Sequence, residues 1–291
     1  MNAYLEIIRP GNAVMAVIAV ILIGIIAQNF SYPLIFGMIA VFLATAGGNV
    51  INDYFDYKID AINKPNRPIP SGRISLKNSY IYASLLFGAS ALFGIVIGCM
   101  LNNFVPTLIV ALSLLLMYYY AKNLKKITLI GNIAISFLTG LCFIFAGVIL
   151  GLDTLSNQLN ISSLSIIYTS LYLGFFAIVM SMAREITKDM EDVEGDKLEG
   201  AKTFPITYGN KKSSILTVFF IVLASVLSPI LYFNGIFNVF FLVILSIAIA
   251  IFLYGAYEIL KDQTPENCKK VSKLIKIGMM IAFISFATGS F

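Results

Sequence analysis

Histidine and tryptophan are absent from this 291-residue chain, and cysteine occurs only three times. Without an imidazole there is no side chain that ordinarily titrates near neutrality, and no nitrogen ligand for a borderline metal. Cys99, Cys142 and Cys268 are odd in number and lack metal-ligand spacing, so they read as packing residues rather than a disulfide framework or thiolate site. Charge is scarce too: Asp, Glu, Lys and Arg make up 12% of the chain against 59% hydrophobic residues. One soluble core of this length cannot bury so much apolar surface, so the chain is expected to be polytopic. The N-terminus has no basic cluster or small-residue cleavage site, and its first apolar run is expected to be retained.

A membrane span needs about 20 apolar residues, and nine runs qualify: Ala13 to Asn29, Leu34 to Ile51, Tyr80 to Leu101, Phe104 to Ala121, Ile127 to Leu150, Leu164 to Ala183, Ile215 to Phe233, Phe237 to Ile259 and Leu274 to Phe291. Every Lys and Arg falls at the N-terminus, in the loops after the second, fourth, sixth and eighth runs or, for Lys276, at the start of the ninth run. The other loops and the C-terminus contain none, which places the basic loops and N-terminus in the cytoplasm and the C-terminus outside. A wrong count of spans would scramble that partition. The expected fold is therefore all-α, a single integral membrane domain over residues 1–291. The net charge of +5 fits an anionic membrane surface and gives no reason to invoke nucleic acid.

Two acidic stretches each follow the second span of a four-span set: Asn52-Asp53-x-x-Asp56-x-x-x-Asp60, and Glu185-x-x-x-Asp189-x-x-Asp192-x-x-x-Asp196. Pro68-Ile69-Pro70-Ser71-Gly72-Arg73 follows the first and Pro205-Ile206-Thr207-Tyr208-Gly209 the second. That echo suggests an internal repeat, spans 1–4 and 5–8 with the ninth unmatched. The long polar loops are expected to form a cytoplasmic cap of short helices. At about 100° per residue, Asn49, Asn52, Asp53, Asp56 and Asp60 fall on one helical arc, and Glu185, Asp189, Asp192 and Asp196 on another. Gly195 warns that the second helix frays at Asp196.

Clustered carboxylates repel and must take up protons or find cations. With no histidine and no paired cysteine, oxygen ligands remain, hence a hard ion such as Mg²⁺ or Ca²⁺. Two such stripes across a cavity suit a diphosphate held through bridging metal. The bland alternative is that the acids only solvate membrane-adjacent loops.

The motif Asn52-Asp53-Tyr54-Phe55-Asp56-Tyr57-Lys58-Ile59-Asp60 resembles the first signature of the UbiA superfamily of intramembrane prenyltransferases. Asn66-Arg67-Pro68-Ile69-Pro70-Ser71-Gly72 is similar to its next motif, and Asp192-x-x-x-Asp196 with Gly200-Ala201-Lys202-Thr203 to its second aspartate motif. Within the superfamily, Lys188 to Asp196 resembles the archaeal enzymes that join a second geranylgeranyl chain to geranylgeranylglyceryl phosphate by an ether bond. The resemblance implies a UbiA-type bundle and Mg²⁺ held by Asn52, Asp56, Asp60, Asp192 and Asp196, with Asp53 and Asp189 at or beside the metals. It implies a prenyl diphosphate donor and a lipid phosphate acceptor. Asp56, Asp60, Asp192 and Asp196 are then catalytic, and Asn52, Lys64, Arg67, Arg73, Lys122, Lys125 and Lys202 candidates to bind substrate.

Positive-inside placement, the ordinary role of such residues, explains most of the chain's twenty Lys and Arg. Tyr57, Tyr118, Tyr119 and Tyr120 suit an allylic cation, or an interfacial aromatic belt. Ala44, Ala46, Gly47, Gly48, Gly131, Gly140 and Gly147 leave room for a prenyl groove or for close helix packing. Rival readings are an aromatic prenyltransferase sharing the aspartate motifs, and an ion transporter, whose sites usually sit at the bilayer midplane. A CDP-alcohol phosphatidyltransferase is excluded by the missing D-G-x-x-A-R segment.

Overall fold

The structure, a computed structural model, describes residues 2–157, 161–198 and 200–290. The C-terminal Phe291, expected outside the membrane, is not among them. Fourteen α-helices follow in order: α1 (Ala3–Ile7), α2 (Pro10–Ala27), α3 (Tyr32–Phe55), α4 (Tyr57–Asn63), α5 (Leu76–Met100), α6 (Val105–Lys122), α7 (Ile130–Asn157), α8 (Ile161–Glu191), α9 (Val193–Leu198), α10 (Phe204–Tyr208), α11 (Asn210–Leu227), α12 (Ile230–Phe233), α13 (Val239–Lys261) and α14 (Pro265–Gly289). Among the described residues, nine helical segments are long and apolar enough to cross a membrane, matching the nine runs of the sequence. No strand forms among them, only one isolated parallel bridge between Ile127 and Lys202.

Several helices outrun their apolar stretches. The sixth span reaches Glu191 rather than Ala183, and the ninth begins at Pro265 rather than Leu274. Backbone hydrogen bonding continues while exposed Lys269, Lys270 and Lys273 carry their charge to water. The Thr264 hydroxyl caps that early start by accepting from the Asn267 backbone N–H at 3.4 Å. The expected cytoplasmic loops do contain short helices, α4, α9 and α10.

The chain divides into two compact units, Met1–Leu124 with Leu141–Leu173, and Lys125–Gly140 with Gly174–Phe291. In the first, α3 packs against α2, α5 and α6. A methyl group on Gly47 would lie 2.5 Å from the Phe87 ring and one on Gly48 3.1 Å from the Met117 sulfur. These glycines therefore serve close helix packing instead of leaving a groove. At the end of α3 that carries the first aspartate motif, a buried cluster joins Ile7 and Ile8 beside α1, Val50 and Ile51 of α3, and Ile69 and Ile74 of the following loop. It seats both the N-terminal segment and the Asn66 to Gly72 loop against the first aspartate motif.

In the second unit, α13 packs extensively on α14, and a methyl group on Gly278 would lie 2.3 Å from the Phe252 ring. Gly140 of α7 approaches α8 so closely that a methyl group would stand 2.4 Å from the Gly174 carbonyl oxygen. That contact sets the start of α7 beside the acidic end of α8.

Candidate diphosphate and metal site

Both aspartate motifs are built alike. Asp56 separates α3 from α4, and Asp192 separates α8 from α9. At each junction the i→i+4 ladder survives. The Asp56 N–H donates to the Asn52 carbonyl at 3.0 Å and its carbonyl accepts from Asp60 N–H at 2.9 Å. Asp192 does the same with Lys188 at 3.0 Å and Asp196 at 2.9 Å. The chain bends without losing helical phase, so the acids keep a common face. Gly195 does not fray the second motif, because α9 continues to Leu198. Its end comes at Gly200, with φ +68, where the Ala201 N–H returns to the Asp196 carbonyl at 3.0 Å.

Around the first motif the charges are closely paired. Asp53 and Asp60 are buried, and Arg67 joins them. Its Nη1 donates to Asp60 Oδ2, and to Asp53 Oδ1 at 3.3 Å. One nitrogen touching both carboxylates shows that they share a face. Arg9 also donates to Asp53 Oδ1. The Asn52 amide nitrogen donates to Asp56 Oδ2 at 2.9 Å. Asn49 instead serves the backbone, donating to the Ile8 carbonyl at 2.9 Å.

The Asn66 to Arg73 loop is locked by its own polar groups. Ser71 Oγ donates to the Arg67 carbonyl at 2.6 Å, and the Gly72 N–H to the Ile69 carbonyl at 3.0 Å. Gly72 takes φ +74, a conformation that suits glycine. Arg73 grips Glu6 with two nitrogens, at 2.6 and 3.0 Å, and the Asn66 carbonyl at 2.6 Å. Those Arg73 hydrogen bonds hold the Glu6 carboxyl below the usual carboxylate range. Lys64 caps α4 and is exposed.

Lys122 ends α6 with its ammonium 5.8 Å from the Tyr118 ring centre. Tyr118 in turn meets the Phe55 ring at 5.6 Å, beside Asp56. Lys125 and Lys126 lie in a single 3-10 turn, Leu124–Lys126. The Lys126 carbonyl accepts from the Lys202 N–H at 2.9 Å, and Thr128 Oγ1 donates to the Lys202 carbonyl. The basic segment after the fourth span is thus fastened to the one after the sixth.

In the second motif Glu185 is taken by Arg184 at 2.9 Å and Lys188 at 2.9 Å. Asp189 accepts from Asn132 Nδ2 at 2.8 Å. Asp192 is exposed and Asp196 half-buried. Arg9 and Asn132, which anchor Asp53 and Asp189, are not among the site residues expected from sequence. Their one signal is polarity in an apolar setting: Arg9 just ahead of the first run and Asn132 inside the fifth.

Among the described residues no three acidic or cysteine groups converge as a ready-made metal cage. Mg²⁺ does not require one, since it ordinarily takes one or two carboxylates and fills its octahedron with water and phosphate oxygens. Each motif offers carboxylate oxygen for that mode: Asp56 half-buried at the α3–α4 junction in the first, and Asp192 exposed at the α8–α9 junction with Asp196 half-buried within α9 in the second.

A model of the UbiA prenyltransferase family matches residues 13–286. The chain is 54% identical over 291 residues to a digeranylgeranylglyceryl phosphate synthase of Methanobrevibacter smithii, covering 100% of this chain and 99% of that one. A solved structure of a digeranylgeranylglyceryl phosphate synthase superposes with a TM-score of 0.77 at 36% identity, covering 99% and 97% of the two chains. A UbiA homologue from Archaeoglobus fulgidus, solved bound to DMAPP and Mg²⁺, has the same fold at 17% identity, with a TM-score of 0.60 and coverage of 96% and 98%.

Proposed function

This chain belongs to the UbiA prenyltransferase family, and from that premise we propose that it transfers geranylgeranyl from its diphosphate to geranylgeranylglyceryl phosphate, making the second ether bond of an archaeal lipid. It is an enzyme of the prenyltransferase class. The observation that carries the acceptor is the 54% identity spanning the full length of both chains, so that no span or loop is left outside the likeness.

Divalent metal, which we assign as Mg²⁺, supplies Lewis-acid stabilisation of the charge growing on the departing diphosphate. Asn52, Asp56 and Asp60 of the first motif and Asp192 and Asp196 of the second would hold it, and Asn132 fixes Asp189 within the second motif. Arg67, Lys64, Lys125 and Lys202 neutralise phosphate oxygens, Arg67 with the fork geometry that suits two oxygens at once. Tyr118 and Phe55, in ring contact next to Asp56, are the aromatic groups that would face the allylic carbon as its carbon–oxygen bond breaks. Lys122 takes the acceptor's phosphate. In the absence of histidine, the acceptor hydroxyl gives its proton to a carboxylate or to the diphosphate as the ether forms. The shared 3-and-4 spacing of Asp53, Asp56, Asp60 and of Asp189, Asp192, Asp196 supports descent of the two motifs from one repeated unit.

The test is incubation of purified protein with Mg²⁺, radiolabelled geranylgeranyl diphosphate and a panel of acceptors. Geranylgeranylglyceryl phosphate is consumed, while its dephosphorylated analogue is used at least about tenfold less well, as expected from losing a charge-assisted contact. Equal use of both, or efficient prenylation of 4-hydroxybenzoate, refutes the lipid-ether reading and leaves the family intact.

A further inference from the structure

Arg9 has no task in the reaction just described, yet it pairs with a buried carboxylate of the first motif. It stands between α1 and α2 with φ 49, a left-handed backbone uncommon outside glycine. Three tethers hold that backbone in place. Ile7 and Ile8 are buried, the Ile8 carbonyl accepts from Asn49, and Glu6 is gripped by Arg73. So seated, the Arg9 guanidinium donates to Asp53 Oδ1.

The cluster holds two guanidiniums, Arg9 and Arg67, and two carboxylates, Asp53 and Asp60, and is neutral as a set. Arg67 is shared: it is close to Asp60 and 3.3 Å from Asp53. Asp53 is only 3% exposed, and a buried carboxylate stripped of its cation is costly. Were Arg67 its sole partner, moving Arg67 onto a phosphate would leave Asp53 uncompensated. Arg9 removes that penalty.

We propose that Arg9 is a positioning residue for diphosphate binding: by neutralising Asp53 it releases Arg67 to pass from Asp60 to a diphosphate oxygen when metal takes Asp60. On this account Asp53 is the anchor of the arginine pair and not a metal ligand. The inference rests on the assignment of Asp60 to metal and Arg67 to phosphate made above.

The probe is inorganic pyrophosphate with Mg²⁺, titrated calorimetrically into the purified full-length protein, so that no turnover is needed. Arg9→Gln weakens binding about tenfold, because Arg67 is then kept by Asp53, and Arg9→Lys recovers most of the loss. Asp53→Asn alone binds within about threefold of wild type with an unchanged Mg²⁺ requirement, and Arg9→Gln/Asp53→Asn binds like Asp53→Asn. Recovery in the double variant is the decisive result, since a merely structural Arg9 gives none. A double variant as weak as Arg9→Gln, the result given by a merely structural Arg9 or by one that touches the phosphate itself, overturns the proposal. A raised Mg²⁺ requirement in Asp53→Asn overturns it by making Asp53 a ligand. Should Arg9→Gln fail to fold, the comparison of Asp53→Asn with the double variant decides alone, a gap beyond about threefold counting against. Wild-type protein that binds pyrophosphate but makes no ether lipid defeats the acceptor reading and leaves this one standing.

Discussion

Asp56 and Asp192 occupy equivalent junctions, one between α3 and α4 and the other between α8 and α9, each in an unbroken hydrogen-bond ladder. Exchanging either carboxylate for an amide keeps size and ladder while removing the charge a hard cation needs. Asp56→Asn and Asp192→Asn are each expected to lower kcat by about a hundredfold or more, with thermal stability in detergent unchanged. EDTA acts alike, and added Mg²⁺ restores turnover; full turnover in EDTA rules out metal-assisted departure of diphosphate. The two loop arginines separate just as cleanly. Arg67 bridges Asp53 and Asp60, whereas Arg73 is committed to Glu6, the Asn66 carbonyl and Ser71. Arg67→Gln is expected to raise the donor KM roughly tenfold or more, and Arg73→Gln to leave it within about threefold. Equal effects in steady-state kinetics would return Arg73 to the phosphate.

The helices supply the rigidity these side chains need, and their contacts were only partly readable in advance. Spacing of three and four along one helix is local, so the faces of Asp53, Asp56, Asp60 and of Asp189, Asp192, Asp196 follow directly from it. Arg9 and Asn132 reach their aspartates from 44 and 57 residues away, across other helices, and no local period reports that. Small residues were legible as small but not as to what fills the space beside them. Phe87 meets Gly47, Met117 meets Gly48, and Ser170 of α8 meets Gly147 of α7, where a methyl group would stand 2.3 Å from the serine Cβ. Neither helix can yield there without shifting backbone. Gly147→Ala is expected to destabilise by about 1–3 kcal/mol, seen as a lower melting temperature in detergent. Gly88→Ala on α5, with nothing within 4 Å, serves as the control and leaves it unchanged. A Gly147→Ala protein as stable as wild type would show that α7 and α8 are not held at this spacing.

Hydropathy and charge placement revealed the nine spans because both respond to the bilayer as a solvent, whichever neighbours each helix packs on. Helix ends were less legible, since hydrogen bonding runs on past the last apolar residue, as at Glu191 and Pro265. The same partition of Lys and Arg makes a prediction about orientation. Residues proposed to hold diphosphate, among them Lys64, Arg67 and Lys202, belong to basic loops, and the charged diphosphate of a prenyl donor does not cross the bilayer, so it meets the site from one side only. Epitope tags at Arg73, Lys126 and Lys202 should therefore be accessible from the cytoplasm, and tags at Asn102 and Asn234 from the opposite face. Asn102 and Asn234 lie in tight turns, α5–α6 and α12–α13, whose flanking loops contain no Lys or Arg to retain them inside. Membrane-impermeant labelling of intact and opened cells distinguishes the two sets. Labelling of Asn102 together with Lys202 from one side would mean an even number of crossings between them, incompatible with α6, α7 and α8 each passing once through the bilayer.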